Sequence, residues 1–371
     1  MTLRYGLIGA GMMGQEHIRN LALLGDARIA ALADPDPTQR AQALRVTGPD
    51  VAEFADHRAL LAAGGLDALI IAAPNHVHLP ILQDALAGDL PILCEKPLGL
   101  TQRECEEIER RAEGRRAPVW VAMEYRYMPA IARLIEEVAK GTAGRVQMLS
   151  IREHRFPFLR KVGDWNRFAD QTGGTLVEKC CHFFDLMRLI LKAEPLRVFA
   201  TGGMAVNHLE ERYGGRAPDI LDHAYVVVDF DTGARAMLDL CMFAEGAEWQ
   251  EEVTATGSRA RIDARMPGPT RFEPDGAVRH GQLVISPRGR RGRRVEEVAT
   301  EAHVLEAGDH HGSTFRQHQE FRAMLQNGGV PAVDLRDGTI AVAVGAAAEE
   351  SARTGRVVDL PDWRGLACTG S

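Results

Sequence analysis

The 371-residue chain predicts an α/β fold in two domains: a parallel sheet covered by helices over residues 1–124, then a second domain built on a large sheet over residues 125–371. Three observations carry that expectation. The length exceeds the roughly 250–300 residues at which one hydrophobic core stops growing. Over the first part of the chain, short apolar runs alternate with helical stretches, and parallel neighbours require such crossovers. After Pro129 that rhythm stops, and from about residue 145 the extended runs are joined by tight turns, as antiparallel strands are.

RYGLIGAG, ARIAALAD, LDALIIAAPN, LPILCEKP and APVWVAME read as short buried strands, with helical stretches between most of them. In LTQRECEEIERRAEG, Thr101 and Glu104 have capping-box spacing, acidic residues fill the first turn and Gly114 marks the end. TLVEKCCHFFDLMRLI, residues 175–190, is mostly apolar and reads as one buried helix. At about 100° per residue, Glu178, His182 and Asp185 share a stripe of roughly 60°, and Lys179 points away as a structural or solvated residue. LDHAYVVVDFDTGARAMLDLCMF folds back at Asp231-Thr232-Gly233, and EEVTATGSRARIDAR at Gly257-Ser258. DHHGSTFRQHQEFRAMLQNG opens a helix near Ser313, and GTIAVAVGAAAEESARTG is another.

Composition narrows the class of function. With 45% hydrophobic and 26% charged residues and a formal charge of −7, the chain suits a globular enzyme and disfavours a nucleic-acid binder. Arg288, Arg290, Arg291, Arg293 and Arg294 form a basic run in SPRGRRGRR, read as a solvated loop because no aromatics interleave it. No apolar run is long enough to cross a bilayer, and the amino terminus enters a strand without a charged leader, so a cytoplasmic location is expected. Cys94, Cys105, Cys180, Cys181, Cys241 and Cys368 lack metal spacing and are read as reduced thiols. Adjacent cysteines on a helix diverge by about 100°, so the CCH string at 180–182 implies no metal.

GLIGAGMMG places Gly9, Ala10, Gly11, Met12, Met13 and Gly14 directly between a strand and a helix. In that context the first glycine permits the tight turn, the second lets a pyrophosphate approach and the third lets helix and sheet pack closely: the Rossmann dinucleotide-binding arrangement. Amides at the helix start attract the phosphates. Asp34 ends the next strand, where a carboxylate accepts hydrogen bonds from a ribose and repels a 2′-phosphate. No arginine follows it in ADPDP, so NAD is favoured over NADP.

Ligands of open parallel sheets bind outside the carboxyl ends of the strands. Three loops fall there: Pro74-Asn75-His76-Val77-His78, Glu95-Lys96-Pro97 and the segment EYRYMP. Lys96, leaving an apolar strand into a crevice, is a candidate proton partner whose pKa desolvation beside other cations lowers.

Taken together, the glycine loop, Asp34, Pro74 to His78, Glu95-Lys96-Pro97 and GGTLVEKCCHFFD resemble the Gfo/Idh/MocA oxidoreductases, which include glucose-fructose oxidoreductase and inositol dehydrogenase. The resemblance spans most of the chain. It implies a second α+β domain with a large open, predominantly antiparallel sheet whose outer face makes homodimers or homotetramers. It also implies that the nicotinamide lies between the Glu95-Lys96-Pro97 loop and the first helix of that domain, with Asn75 and His78 beside it. The family's carboxylate and histidine, four residues apart, correspond to Glu178 and His182, and with Lys96 they form the proton-handling group. His182 is then the base, oriented by an adjacent carboxylate, and Lys96 stabilises the oxygen. Tyr125 and Arg126 match a position where the family approaches cofactor or substrate, Trp165 and Arg167 its Trp-Arg pair that reaches the active site, and Asp185, one turn beyond His182, either binds substrate or braces the histidine. The family usually has aspartate at the position of Glu178, and Thr175-x-x-Glu178 also fits a capping box. His310 and His311 either close over a polyol or lie on the surface.

The expected function is therefore an NAD-dependent dehydrogenase acting on a secondary hydroxyl of a sugar, inositol or related polyol. Two other readings stay open: a redox-assisted glycoside hydrolase or lyase that recycles its NAD, and a sensor that binds NAD and sugar without turnover.

Overall fold

A computed structural model describes residues 2–364 except 49, 274–275 and 290–291. Arg290, Arg291 and Cys368 lie outside the described residues.

The first sheet contains β1 (Leu3–Ile8), β2 (Ala27–Ala33), β3 (Ala52–Phe54), β4 (Ala68–Ile71), β5 (Ile92–Glu95) and β6 (Val119–Ala122), in the order β3-β2-β1-β4-β5-β6. All its pairings are parallel. Strands β4, β5 and β6 are buried throughout, which is why they read as continuous apolar runs. The short β3 has exposed residues and no such pattern. Strand order reverses between β1 and β4, and a crevice opens there at the carboxyl ends.

The second sheet has nine strands: β7 (Val146–His154), β8 (Pro195–Gly203), β9 (His223–Phe230), β10 (Arg235–Cys241), β11 (Glu251–Gly257), β12 (Ala260–Met266), β13 (Gly281–Pro287), β14 (Arg294–Val298) and β15 (Val358–Asp359). Its order is β14-β13-β12-β11-β7-β10-β9-β8-β15, antiparallel except where β7 and β10 pair in parallel. Both foreseen turns form, between β9 and β10 with Gly233 at φ +81° and between β11 and β12 at Gly257-Ser258. The exposed Arg288, Arg293 and Arg294 flank the tip of the β13–β14 hairpin.

Helices Cys181–Leu191 and Leu335–Thr354 cover one face of this sheet. The other face leaves Met148, Tyr225 and Val227 exposed. The cores are not laid end to end along the chain. Phe321 and Met324 of helix Ser313–Asn327, with Val333, Ala341 and Val342, join the core of the first sheet, and Val121 N donates to Val333 O at 3.1 Å.

One element differs from expectation. Residues 175–190 form two helices, Thr175–Glu178 and Cys181–Leu191, because the Lys96 ammonium takes the Glu178 carbonyl at 2.9 Å. In a continuous helix that carbonyl would accept from the His182 amide. The capping box also fails: Thr175 Oγ1 donates to Leu221 O at 2.6 Å, leaving Glu178 free to turn elsewhere.

Candidate active site

A cavity of about 890 Å³ runs from the glycine loop along the carboxyl ends of the first sheet to helix Cys181–Leu191. At its cofactor end Gly9 has φ +94°, and a Cβ there would lie 2.6 Å from the Ala72 backbone. A Cβ on Gly14 would overlap the Gly9 carbonyl oxygen, whereas one on Gly11 meets nothing within 4 Å and would project into open space. Close packing thus dictates two glycines, and the third clears an approach to the helix amides, as a pyrophosphate needs. Met12 and Met13 line this wall, while Ala10 contributes its amide to Asp34 Oδ2 at 2.8 Å. Asp34 Oδ1 accepts from Asp36 N at 2.8 Å, so the carboxylate is fixed at the end of β2 facing the cavity. These features fit a dinucleotide.

Lys96 enters from the end of β5. Its preceding Glu95 is anchored by His17, whose Nε2 lies 2.9 Å from Glu95 Oε1 and whose Nδ1 lies 2.9 Å from His318 Nε2. The expectation of a lowered Lys96 pKa is corrected. Burial does oppose the charge, but the carboxylates of Glu178, Glu124 and Glu95 outweigh it and lift the pKa above the usual lysine value. Lys96 is therefore a firm ammonium.

Glu178 receives hydrogen bonds from Asn75 Nδ2 and, at 3.1 Å, from Lys161 Nζ. Burial penalises its charge, yet Lys161 and Lys96 prevail and hold its pKa at about 2. The carboxylate facing His182 is instead Glu124, with Oε1 3.6 Å from Nε2. The His182 ring stacks on Tyr125 at 4.2 Å and 8°, and its Nδ1 is buried without a partner among the described residues. Burial, then Lys96, Lys179 and His310, push its pKa well below the usual value, so the imidazole is neutral.

Lys179 is neither solvated nor remote. The helix break turns it into the cavity wall, where it donates to the Tyr125 hydroxyl and lies 2.9 Å from Glu153 Oε1. His310 also lines the cavity, with Nδ1 2.7 Å from Glu16 Oε1, and His311 is buried against Pro267 O at 2.9 Å. Pro74, Asn75 and Trp165 stand on the same wall, with Lys161 Nζ 4.4 Å from the centre of the indole.

Four implied site residues lie off that wall. Arg126 and Asp185 neutralise each other, with Nε to Oδ2 at 2.6 Å, and Arg126 also pairs with Asp337 at 3.1 Å. Arg167 binds Glu211 at 2.9 Å. His78 lies between Pro97 O and Ala73 O at 2.8 and 2.9 Å, tying two loops together rather than facing a nicotinamide. Glu124, Lys161 and Lys179 escaped the sequence reading. For Glu124 the signal was its place directly before Tyr125 in a loop already singled out.

Among the described residues, no helix is long and apolar enough to cross a membrane, and no group of three or more His, Cys, Asp or Glu side chains is placed to hold a metal ion.

The fold and the glycine loop define an NAD-binding oxidoreductase. Residues 3–123 match the family model described as oxidoreductase family, NAD-binding Rossmann fold, and residues 135–360 match its C-terminal alpha/beta domain. The chain belongs to the Gfo/Idh/MocA oxidoreductase family. It is 31% identical to the rhizopine catabolism protein MocA of Rhizobium meliloti over 192 residues, 52% of this chain and 58% of that protein. With the myo-inositol 2-dehydrogenase of Thermotoga maritima it shares 26% identity over 363 residues, covering 97% of this chain and 99% of the relative. A crystal structure of a probable dehydrogenase from Thermotoga maritima superposes with a TM-score of 0.76 at 25% identity, over 96% and 98% of the two chains.

Proposed function

We propose that this protein is an NAD-dependent dehydrogenase that oxidises a secondary hydroxyl of an inositol, a sugar or a related polyol. One observation carries the reading: Lys96 from the first sheet and His182 and Glu178 from the second domain face one cavity, continuous with the glycine loop. NAD, when bound, supplies the hydride acceptor. Gly11 would admit its pyrophosphate to the turn that Gly9 and Gly14 allow to pack, and Asp34 would hold its ribose. The Lys96 ammonium donates to the reacting oxygen and stabilises the negative charge that grows there. The neutral His182 takes the hydroxyl proton. Glu178, kept ionised, accepts from a neighbouring hydroxyl, and Trp165 offers an apolar face to the ring.

A polyol suits this wall because every buried donor or acceptor needs a partner, and Lys161, Lys179 and Glu124 add three. The name of the Thermotoga relative supports an inositol among the candidates. Residues 1–124 then hold the cofactor and residues 125–371 supply most of the substrate site. The exposed face of the second sheet pairs two or four copies of the chain.

The test is a panel of inositol isomers, aldoses and sugar acids with NAD and with NADP, followed by absorbance. Accumulating NADH with at least one polyol is expected. Substrate consumption without NADH would favour a lyase that recycles its cofactor, and NAD binding without any turnover would favour a sensor.

A further inference from the structure

Glu124 stands beside His182 and has no part in the reaction as assigned so far. It is 2% exposed and lies in the turn after β6. Its Oε1 faces His182 Nε2 at 3.6 Å, and its Oε2 is buried with no hydrogen-bond partner among the described residues. Both residues border the cavity. A proton relay through His182 uses the neutral tautomer with the proton on Nδ1, which leaves the Nε2 lone pair, at the edge facing Glu124, open to accept. Glu178 does not serve as the proton store, because it turns to Asn75 and Lys161, and Lys161 and Lys96 hold its pKa at about 2.

We infer that Glu124 is the terminal proton acceptor of the oxidation, reached through Nε2 of His182. The inference rests on the dehydrogenase reading above. The substrate O–H bond breaks as Nε2 takes the proton. The new N–H bond then breaks as the proton passes to Glu124 Oε1, which restores the neutral imidazole. NAD, when bound, would take up the carbon-bound hydrogen with its electron pair, so that the substrate would lose two hydrogens and two electrons overall. Glu124 later returns its proton to solvent.

Surrounding charges make the carboxylate the better store. An imidazolium at His182 is disfavoured by burial and by Lys96, Lys179, His310 and Arg155. Glu124 is raised to about 7 by burial and then by Glu95, against the opposing pull of His310 and Lys96. The groups facing it are Glu95 and Lys96 from the end of β5, His182 and Cys181 from the helix, and His310 from the 306–312 loop. Glu16 stands behind His310, and His17 behind Glu95.

Glu124→Gln preserves shape and removes the titration. For the wild type, kcat of oxidation should rise with pH through an ionisation near 7 and then level off. In Glu124→Gln that ionisation should vanish and kcat at pH 8 should fall about 10²-fold, a typical contribution of one proton-handling group. NAD affinity should stay within about threefold, and Glu124→Asp should restore part of the ionisation. A Glu124→Gln enzyme with kcat within threefold of wild type and the same ionisation overturns the inference. If Lys96→Met is inactive in that same experiment, the dehydrogenase reading survives alone. An infrared difference spectrum, wild type minus Glu124→Gln with NAD bound, reads the carboxyl without turnover. A protonated-carboxyl band present at pH 6 and gone at pH 8.5 supports the assignment, and its absence at both overturns it even if no polyol reacts.

Discussion

Lys96 carries two duties with one ammonium: it caps the Glu178 carbonyl at 2.9 Å and faces the cavity as a cation. Replacing it with methionine should lower kcat by about 10²–10⁴-fold, the range of a general acid or electrostatic group, while NAD affinity changes only a few-fold. Stopped-flow turnover and NAD titration together check this. Shortening Glu178 to aspartate should withdraw the carboxylate from Asn75 and Lys161 and raise KM about tenfold, the effect of ~1.4 kcal/mol. Lys96, Glu178 and His182 were legible because each sits in a short motif tied to a strand end or a helix. Lys179 was not, since its direction depends on a helix break caused by Lys96, more than eighty residues earlier in the chain. Glu124 was hidden for a similar reason: its significance is the 3.6 Å to His182, a distance through space that no spacing encodes.

Among elements, the loop from β1 to helix Met12–Ala22 separates packing from binding most clearly. A methyl at Gly14 would collide with the Gly9 carbonyl, so Gly14→Ala should destabilise the domain as well as abolish cofactor binding. At Gly11 the methyl meets open space, so Gly11→Ala should weaken NAD binding while leaving stability within about 0.5 kcal/mol. Thermal melts with and without NAD distinguish the two variants. This loop was readable from sequence because its contacts are local. The nine-stranded sheet was readable only in part. Turns at Gly233 and Gly257 announced two hairpins, but the parallel pairing of β7 with β10 joins segments about ninety residues apart.

For the whole molecule, the Glu16–His310 pair fastens a loop of the second half to the first helix. Burial alone would raise Glu16, but His310 brings it to about 2, and Glu16 in turn lifts His310 to about 9 against its own burial. Stability from Glu16 is present above its unfolded value and lost as pH falls toward 2. That from His310 is full below about 6.5 and lost as pH rises through 9. His310→Gln should therefore cost about 2 kcal/mol at pH 6, allowing for the histidine's quarter exposure, and much less by pH 10. Paired chemical denaturations at the two pH values decide it. In the proposed pairing through the open sheet face, where Tyr225 is exposed on the single chain, Tyr225→Asp should reduce the particle mass in light scattering, since an unpaired charge buried on pairing opposes association. The central claim joins both halves: groups from each must act on one carbon lying beside one cofactor. The most direct measurement uses a polyol deuterated at the reacting carbon and mass analysis of the cofactor afterwards. The account predicts deuterium in the reduced cofactor from the wild type and almost none formed by Lys96→Met. Unlabelled NADH, or equal labelling in both proteins, would contradict it.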